Sequence, residues 1–231
     1  MKTLLLASLA VLLAALPCGA QAAGDPPGTR TILLVRHGHY VREEGGDERT
    51  GMGLTPLGVA QAQLAGARLA GRPGHLDGLH VSPLRRARDT AAVIGESLPG
   101  RRFEVDEDLA ECTPPTRRAE IMSREAPPDL AACQAQIERA FARYFVPSGQ
   151  RTDLLVCHGN VIRYLVTRAM GVEPDAWLEM SVGHASLTVI RIEADGRMKV
   201  IGVGDVGHLP PNMLTGATGD AERSLAVPGL P

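Results

Sequence analysis

The sequence has 231 residues, with 24 Lys and Arg against 26 Asp and Glu and a formal net charge of −2. This length suffices for one domain with a full core. The charge balance provides no bulk positive field that would attract nucleic acid or a membrane surface. Any binding of an anion must therefore depend on a few well-placed arginines.

The N-terminal segment, residues 1–22, predicts a secretory signal peptide. It has one lysine, an apolar run over residues 4–16 and the small-residue pattern Ala-Gln-Ala before a cleavage point after Ala22. A retained anchor is the alternative, but crossing a bilayer takes about 20 apolar residues. We therefore expect an exported protein, periplasmic or secreted, without stable membrane insertion, whose mature part begins with a leader at residues 23–30.

Strands and helices alternate along the rest of the chain. The first predicted elements are a strand at 31–36, a polar glycine-rich loop, a helix capped by Thr55, a strand at 76–82 and a helix from Ser82 to about 98. A short strand at 103–109, a proline-broken segment at 110–128 and a helix around 137–144 follow. The last predicted elements are a strand at 153–157, a helix capped by Asn160, and two strands at 185–193 and 198–204 that form a hairpin.

This alternation predicts a three-layer α/β/α sandwich with a mostly parallel central sheet, formed by one domain at residues 31–206. A tail rich in Gly and Pro follows at residues 207–231. Polar residues follow three of the strands: Arg36 and His37 after the first, Arg86 after the second, and His158 after the strand at 153–157. Because parallel strands end at one edge of a sheet, we expect these side chains to converge there.

Three cysteines follow the predicted cleavage point. Cys157 lies in an apolar strand and predicts a buried free thiol. Cys112 and Cys133 lie in less regular sequence, where they could pair or remain free.

The stretch Arg36-His37-Gly38-His39 fits two kinds of site. His37 and His39, with His158 and carboxylates, could bind a metal ion. A neighbouring arginine repels a divalent cation, however, and arginine forks instead grip phosphoryl oxygens. A histidine nitrogen can attack phosphorus when the other ring nitrogen is held in the correct tautomer. The residue types therefore favour a phosphate site without a metal or cofactor.

Four motifs in fixed order resemble those of the histidine phosphatase superfamily, the phosphoglycerate-mutase-like enzymes. They are Val-Arg-His-Gly at 35–38, Leu-Thr-Pro-Leu-Gly at 54–58, Ser-Pro-Leu-Arg-Arg-Ala at 82–87 and Cys-His-Gly at 157–159. The resemblance implies the mutase-like fold and a hydrolase that passes through phosphohistidine.

The resemblance also implies catalytic residues. His37 matches the nucleophile, Arg36 and Arg86 match the phosphate clamps, and His158 matches the second histidine. The family's general acid follows the third strand, where Glu111 fits its Leu-x-Glu pattern.

Substrate contacts are less closely specified. His39 and two arginines of the polar loop, Arg42 and Arg49, are candidate substrate-binding residues. For His39, a purely polar loop role is the alternative. His184, before the last strands, could line the pocket, but a solvated loop is the favoured interpretation.

Within the family, RHGHY, CHGNVIRYLVTRAMGV and GDVGHLPPNML are most similar to the branch of mitochondrial serine/threonine-protein phosphatases. This implies a phosphomonoesterase acting on phosphoserine or phosphothreonine proteins. Two alternatives stay open: a phosphatase of small or envelope-glycolipid phosphomonoesters, and a noncatalytic phospholigand-binding protein. The sequence does not specify an oligomeric state.

Overall fold

The computed structural model of the chain describes residues 28–216 and contains one six-stranded sheet. Its strands are β1 (Arg30–Arg36), β2 (Gly78–Val81), β3 (Glu104–Val105), β4 (Arg151–Cys157), β5 (Leu187–Ile192) and β6 (Met198–Asp205). They lie in the order β3-β2-β4-β1-β5-β6. The first four are mutually parallel, whereas β5 is antiparallel to both of its neighbours, β1 and β6. The predicted, mostly parallel sheet is confirmed.

Helices cover both faces of this sheet. They are α1 (Pro56–Ala70), α2 (Arg85–Glu96), α3 (Ala119–Met122), α4 (Pro127–Tyr144) and α5 (Gly159–Met170), with 3-10 helices at Glu107–Leu109, Pro174–Glu179 and Pro211–Met213. One buried cluster joins α1 and α2 to the sheet, and a second joins α4 and α5 to its opposite face. The predicted three-layer α/β/α arrangement is thus confirmed.

Strand β1 shows why its apolar run is continuous. Successive side chains of a strand point to opposite faces. Ile32 and Leu34 accordingly belong to the core on the α4 and α5 side, whereas Leu33 and Val35 belong to the core on the α1 and α2 side. A central strand covered on both faces needs apolar residues at every position.

Several predicted elements differ from the observed ones at their ends. The helix predicted from Ser82 begins at Arg85, and the helix predicted around 137–144 already begins at Pro127, within the segment predicted as proline-broken. The strand predicted at 103–109 is shorter, because the Asp106 carboxylate accepts a hydrogen bond from the Asp108 amide and the chain turns into a 3-10 helix. Helix α5 is preceded by His158 at the cap position, so the prediction of Asn160 as its cap is wrong. The Asn160 side-chain amide instead donates to the Cys112 carbonyl.

A disulfide between Cys112 and Cys133 links the segment after β3 to helix α4, which confirms the pairing that the sequence allowed. Cys157, at the end of β4, is a free and buried thiol, as predicted. The bridge closes a loop with a sequence separation of 21 and fixes the chain just after Glu111.

The C-terminal segment up to residue 216 packs against the domain. Leu209 is buried, and the Gln61 side chain of α1 donates to the Met213 carbonyl and to the Thr215 hydroxyl. The predicted signal peptide at 1–22, most of the leader and residues 217–231 lie outside the described residues. Among residues 28–216, no helix has the length and apolar content needed to cross a membrane.

The loop after β1 lies against the first turn of α1 through two glycines. A Cβ on Gly58 would lie 2.1 Å from the His39 carbonyl oxygen, and a Cβ on Gly38 would lie 2.5 Å from the Gly58 carbonyl oxygen. Real Cβ atoms do not approach backbone oxygens this closely. The glycines therefore let the residues after β1 lie directly on the helix.

We expect Gly58→Ala to lower the free energy of unfolding by about 1–3 kcal/mol, because the added methyl group forces this backbone contact apart. Urea denaturation followed by circular dichroism measures the change. Gly95→Ala is the matched control: it lies within α2 with no neighbour within 4 Å of its added Cβ, so a gain of about 1 kcal/mol is expected. Equal stability of Gly58→Ala and the unsubstituted protein would contradict this packing.

Candidate active site

The imidazole of His37 is buried directly after β1, and its hydrogen bonds define its tautomer. Nδ1 lies 2.8 Å from the Gly38 carbonyl oxygen, which can only accept, so Nδ1 carries the hydrogen. Nε2 accepts a hydrogen bond from Nε of Arg86 at 3.3 Å. The lone pair of Nε2 therefore faces the arginine.

The surroundings of His37 keep it uncharged. Burial, followed by the effects of His158, His184 and the arginines Arg36 and Arg86, holds the pKa of His37 well below its ordinary value of 6.5. At neutral pH its Nε2 lone pair is therefore available to an electrophile.

Arg86 lies on the first turn of α2 and is only 2% exposed. Its guanidinium stacks on the Tyr40 ring, 4.7 Å from the centroid. Its backbone carbonyl accepts from the Thr90 hydroxyl, and the same oxygen of Thr90 accepts from the Gly38 amide. Thr90 thus couples the helix carrying Arg86 to the loop carrying His37.

Arg36 ends β1 on the other side of the histidine. Its Nη1 donates to the carbonyl oxygens of Val182 and Gly216, at 2.7 and 3.0 Å. Its Nε is buried and has no hydrogen-bond partner among the described residues. Burial lowers the pKa of Arg36 to about 10, so the group stays cationic at neutral pH.

His158 follows β4 and is fully buried. Its Nε2 lies 2.6 Å from the Ser82 hydroxyl oxygen, whereas its Nδ1 is buried without a partner among the described residues. Burial lowers the pKa of His158 well below 6.5. A neutral His158 that accepts from Ser82 at Nε2 carries its hydrogen on Nδ1, where it is free to donate to an anion.

Glu111 follows the 3-10 helix after β3. Its Oε1 accepts from the Asn160 amide at 3.3 Å, and its Oε2 is buried without a partner among the described residues. Burial raises the pKa of the Glu111 carboxyl above 4.5, against the opposing effects of Arg36, the Asn160 amide, Arg86 and Arg163. A carboxyl whose pKa is raised keeps its proton to a higher pH than an ordinary carboxyl does, which suits it to proton donation.

The three predicted substrate-binding residues lie away from this centre or have other partners. Nδ1 of His39 lies 2.9 Å from the Thr55 hydroxyl, although its ring is 5.6 Å from His184. Arg42 is exposed on the loop after β1. Arg49 is also exposed and forms a bidentate ion pair with the Glu107 carboxylate. Their roles in substrate binding stay predictions.

The structure corrects the interpretation of His184 and adds Tyr40. The solvated loop favoured for His184 is wrong, because this ring is buried 5.3 Å from His37, with Nδ1 2.9 Å from the Thr215 hydroxyl. Burial lowers the pKa of His184 to about 2. The Tyr40 ring lies edge-on to His37 at 5.1 Å. The sequence signal for Tyr40 was its proximity to the motif, and the signal for His184 was its position before the last strands.

The nitrogen atoms of the histidines are directed to different partners. Nε2 of His37 faces Arg86, and Nδ1 of His39 faces Thr55. Within residues 28–216, no group of three or more His, Cys, Asp or Glu side chains is placed to hold a metal ion. The site instead combines two cationic guanidinium groups with neutral imidazoles, which is an arrangement suited to an oxyanion.

Comparisons with known proteins agree with this chemistry. The model of the family described as Histidine phosphatase superfamily (branch 1) matches residues 32–116 and 114–203. The mitochondrial serine/threonine-protein phosphatase of Caenorhabditis elegans is 38% identical over 194 residues, which are 81% of this chain and 66% of that protein. The human protein of the same name is 34% identical, with the same coverage.

A solved structure extends the comparison. The phosphoglycerate mutase of Plasmodium falciparum has a TM-score of 0.55 and 27% sequence identity, covering 79% of this chain and 94% of the mutase. The mutase-like fold that the sequence predicted is therefore confirmed.

The prediction of export to the periplasm or beyond the cell, and of a signal peptide, is contradicted by these comparisons. The relatives from the nematode and from human are named as mitochondrial. The hydrophobicity of residues 4–16 reflects only the affinity of that segment for an apolar environment. The compartment to which a protein is targeted depends on the receptor that recognises the segment. Hydrophobicity alone therefore did not specify the compartment.

The two matches of the family model together cover residues 32–203, and they include every strand end from which the buried side chains of the site project. The chain spans 66% of the length of the nematode relative, so the comparison concerns the domain common to both. On this evidence the chain belongs to the histidine phosphatase superfamily.

Proposed function

We propose that this protein is a phosphomonoesterase that works without a metal ion, through a phosphohistidine intermediate on His37, and that it acts on phosphoserine or phosphothreonine in proteins. The observation that carries the proposal is the tautomer of His37. Its Nδ1 hydrogen is bonded to the Gly38 carbonyl, so Nε2 carries the lone pair, which accepts a hydrogen bond from Nε of Arg86 at 3.3 Å. A nucleophilic nitrogen thus lies beside a cation that can bind the phosphoryl group.

In the first step, Nε2 of His37 attacks phosphorus, and the bond from phosphorus to the ester oxygen breaks. The departing alkoxide takes the proton of the Glu111 carboxyl and leaves as an alcohol. Burial favours the protonated carboxyl, since it raises the pKa of Glu111. Arg36, Arg86 and the free Nδ1 hydrogen of His158 stabilise the negative charge on the phosphoryl oxygens.

In the second step, water attacks the phosphorus of phosphohistidine. The Glu111 carboxylate takes a proton from this water, the bond from phosphorus to Nε2 breaks, and the nitrogen regains its lone pair. Inorganic phosphate leaves, and Glu111 is again a carboxylic acid. One carboxyl group therefore serves as acid and then as base.

The names of the relatives support a protein substrate. The nematode and human proteins are named serine/threonine-protein phosphatases, and they match this chain over 194 residues. Small phosphomonoesters are the competing substrates. A panel that contains a phosphoserine peptide, a phosphothreonine peptide, phytate and a sugar phosphate separates the two substrate classes.

We expect His37→Ala to lower kcat/KM by more than about 10³-fold on every substrate of this panel, because the nucleophile is lost. Treatment of the unsubstituted protein with EDTA should leave its rate unchanged. Release of inorganic phosphate measures both. His75→Ala is the control, since His75 is an exposed histidine that pairs with Arg101 far from the site.

Two results would overturn the proposed chemistry. The first is substantial turnover by His37→Ala, and the second is inhibition by EDTA. Tight binding of a phosphopeptide by the unsubstituted protein without release of phosphate would favour a noncatalytic phospholigand-binding protein instead.

The shifted pKa values of His37 and Glu111 also predict how kcat/KM depends on pH. Attack requires neutral His37, whose pKa is lowered, so the acid limb should lie below pH 6.5. Proton donation requires protonated Glu111, whose pKa is raised, so the alkaline limb should lie above pH 4.5. Activity is therefore expected to fall at low pH, where His37 becomes protonated, and to fall again as the pH rises and Glu111 loses its proton.

Glu111→Gln should lower kcat/KM by about 10²–10⁴-fold and remove the alkaline limb, because its amide cannot lose a proton in this range. Glu104→Gln is the matched control, because this exposed glutamate on β3 lies outside the site. An alkaline limb that persists unchanged in Glu111→Gln would show that another group donates the proton.

A further inference from the structure

A carboxylate of the loop after β1 already contacts the phosphate clamp. Oε2 of Glu48 lies 2.9 Å from Nη1 of Arg86. Arg86 is 2% exposed, whereas the Glu48 side chain is 40% exposed and therefore reaches the site from its open side. The guanidinium thus has two partners: His37 at Nε and Glu48 at Nη1. Neither the family resemblance nor the mechanism above uses this glutamate.

Backbone contacts hold Glu48 in this place. Its carbonyl oxygen accepts from the Arg85 amide at 3.0 Å, at the start of α2. Arg85 also donates from Nη1 to the Thr50 carbonyl, and Arg88 donates to the Arg49 carbonyl. The loop is therefore fixed to the same helix that carries Arg86, so the contact between the two charged groups does not rest on one long side chain alone.

Arg49, the neighbour of Glu48 in the sequence, is not available to neutralise it. Both terminal nitrogens of Arg49 bind the Glu107 carboxylate, at 3.2 and 2.6 Å. Arg85 is likewise paired with Asp89. Arg86 is thus the cation that the structure directs at the Glu48 carboxylate.

A bound phosphoryl group brings up to two negative charges to the guanidinium that Glu48 occupies. Phosphate and carboxylate then share one cation, and two anions in contact repel each other. A positive charge on the substrate beside the phosphate would bind Glu48 and remove this repulsion. A negative charge at that position would add to it.

We propose that Glu48 is a specificity-determining residue, which selects phosphopeptides with Arg or Lys next to the phosphoserine or phosphothreonine. This inference rests on the proposed phosphatase function, and it names the substrate class of that site. The Glu48 carboxylate binds the basic side chain of the substrate while Arg86 binds the phosphoryl group.

The test compares three phosphoserine peptides of equal length, in which the residues flanking the phosphoserine are arginine, alanine or glutamate. The kcat/KM of each is measured at low ionic strength, at one fixed pH. The unsubstituted protein should prefer the arginine peptide to the glutamate peptide, and Glu48→Gln should reduce that ratio by about tenfold. Added salt should weaken the preference of the unsubstituted protein, since screening acts on exposed charges.

Glu44→Gln is the matched control, because it removes the same charge from an exposed position on the same loop. It should leave the ratio between the peptides nearly unchanged. An equal change in kcat/KM for all three peptides in Glu48→Gln would overturn the inference, and so would equal effects of the Glu48 and Glu44 variants on the ratio.

p-Nitrophenyl phosphate distinguishes failure of this inference from failure of the proposed function. If the unsubstituted protein hydrolyses it but Glu48→Gln keeps the full preference for the arginine peptide, the inference is wrong and the phosphatase function stands. If the unsubstituted protein releases phosphate from none of the substrates, the function itself is wrong and the inference falls with it.

Discussion

The hydrogen bond from Nε of Arg86 to Nε2 of His37 constrains the whole site. A guanidinium that is 2% exposed needs partners, and an imidazole beside it cannot also carry a positive charge without large repulsion. The neutral ring then fixes its hydrogen on Nδ1, against the Gly38 carbonyl. Burial of His37, together with repulsion from its charged neighbours, thus keeps the imidazole uncharged, and burial of Glu111 favours its protonated form.

The topology of the sheet brings these groups together. The order β3-β2-β4-β1 places four parallel strands side by side, so their carboxyl ends share one edge. Arg36 and His37 follow β1, Arg86 follows β2, His158 follows β4, and Glu111 follows β3 after one 3-10 turn. Residues far apart in the sequence therefore meet because each strand ends at the same level. The disulfide between Cys112 and Cys133 anchors the most irregular of these segments to α4.

The sequence predicts the parts of this arrangement that depend on local pattern. Continuous apolar runs identified β1 and β4, and Thr55 followed by Pro56 marked the start of α1. Contacts between distant segments were not predictable in this way. The burial of His184 depends on Thr215, and the pairing of Glu48 with Arg86 depends on how one loop lies on α2. The prediction of the cellular compartment was wrong because an apolar run does not by itself specify where a protein is targeted.

In the proposed mechanism, His37 carries the phosphoryl group during turnover. The most direct measurement stops the reaction with alkali within milliseconds, digests the protein, and locates phosphate by mass spectrometry, since phosphohistidine survives in base. We expect phosphate on the peptide that contains His37, at its imidazole, and no such phosphopeptide in the absence of substrate. Active turnover without phosphate on His37, or with phosphate on a different residue, would contradict it.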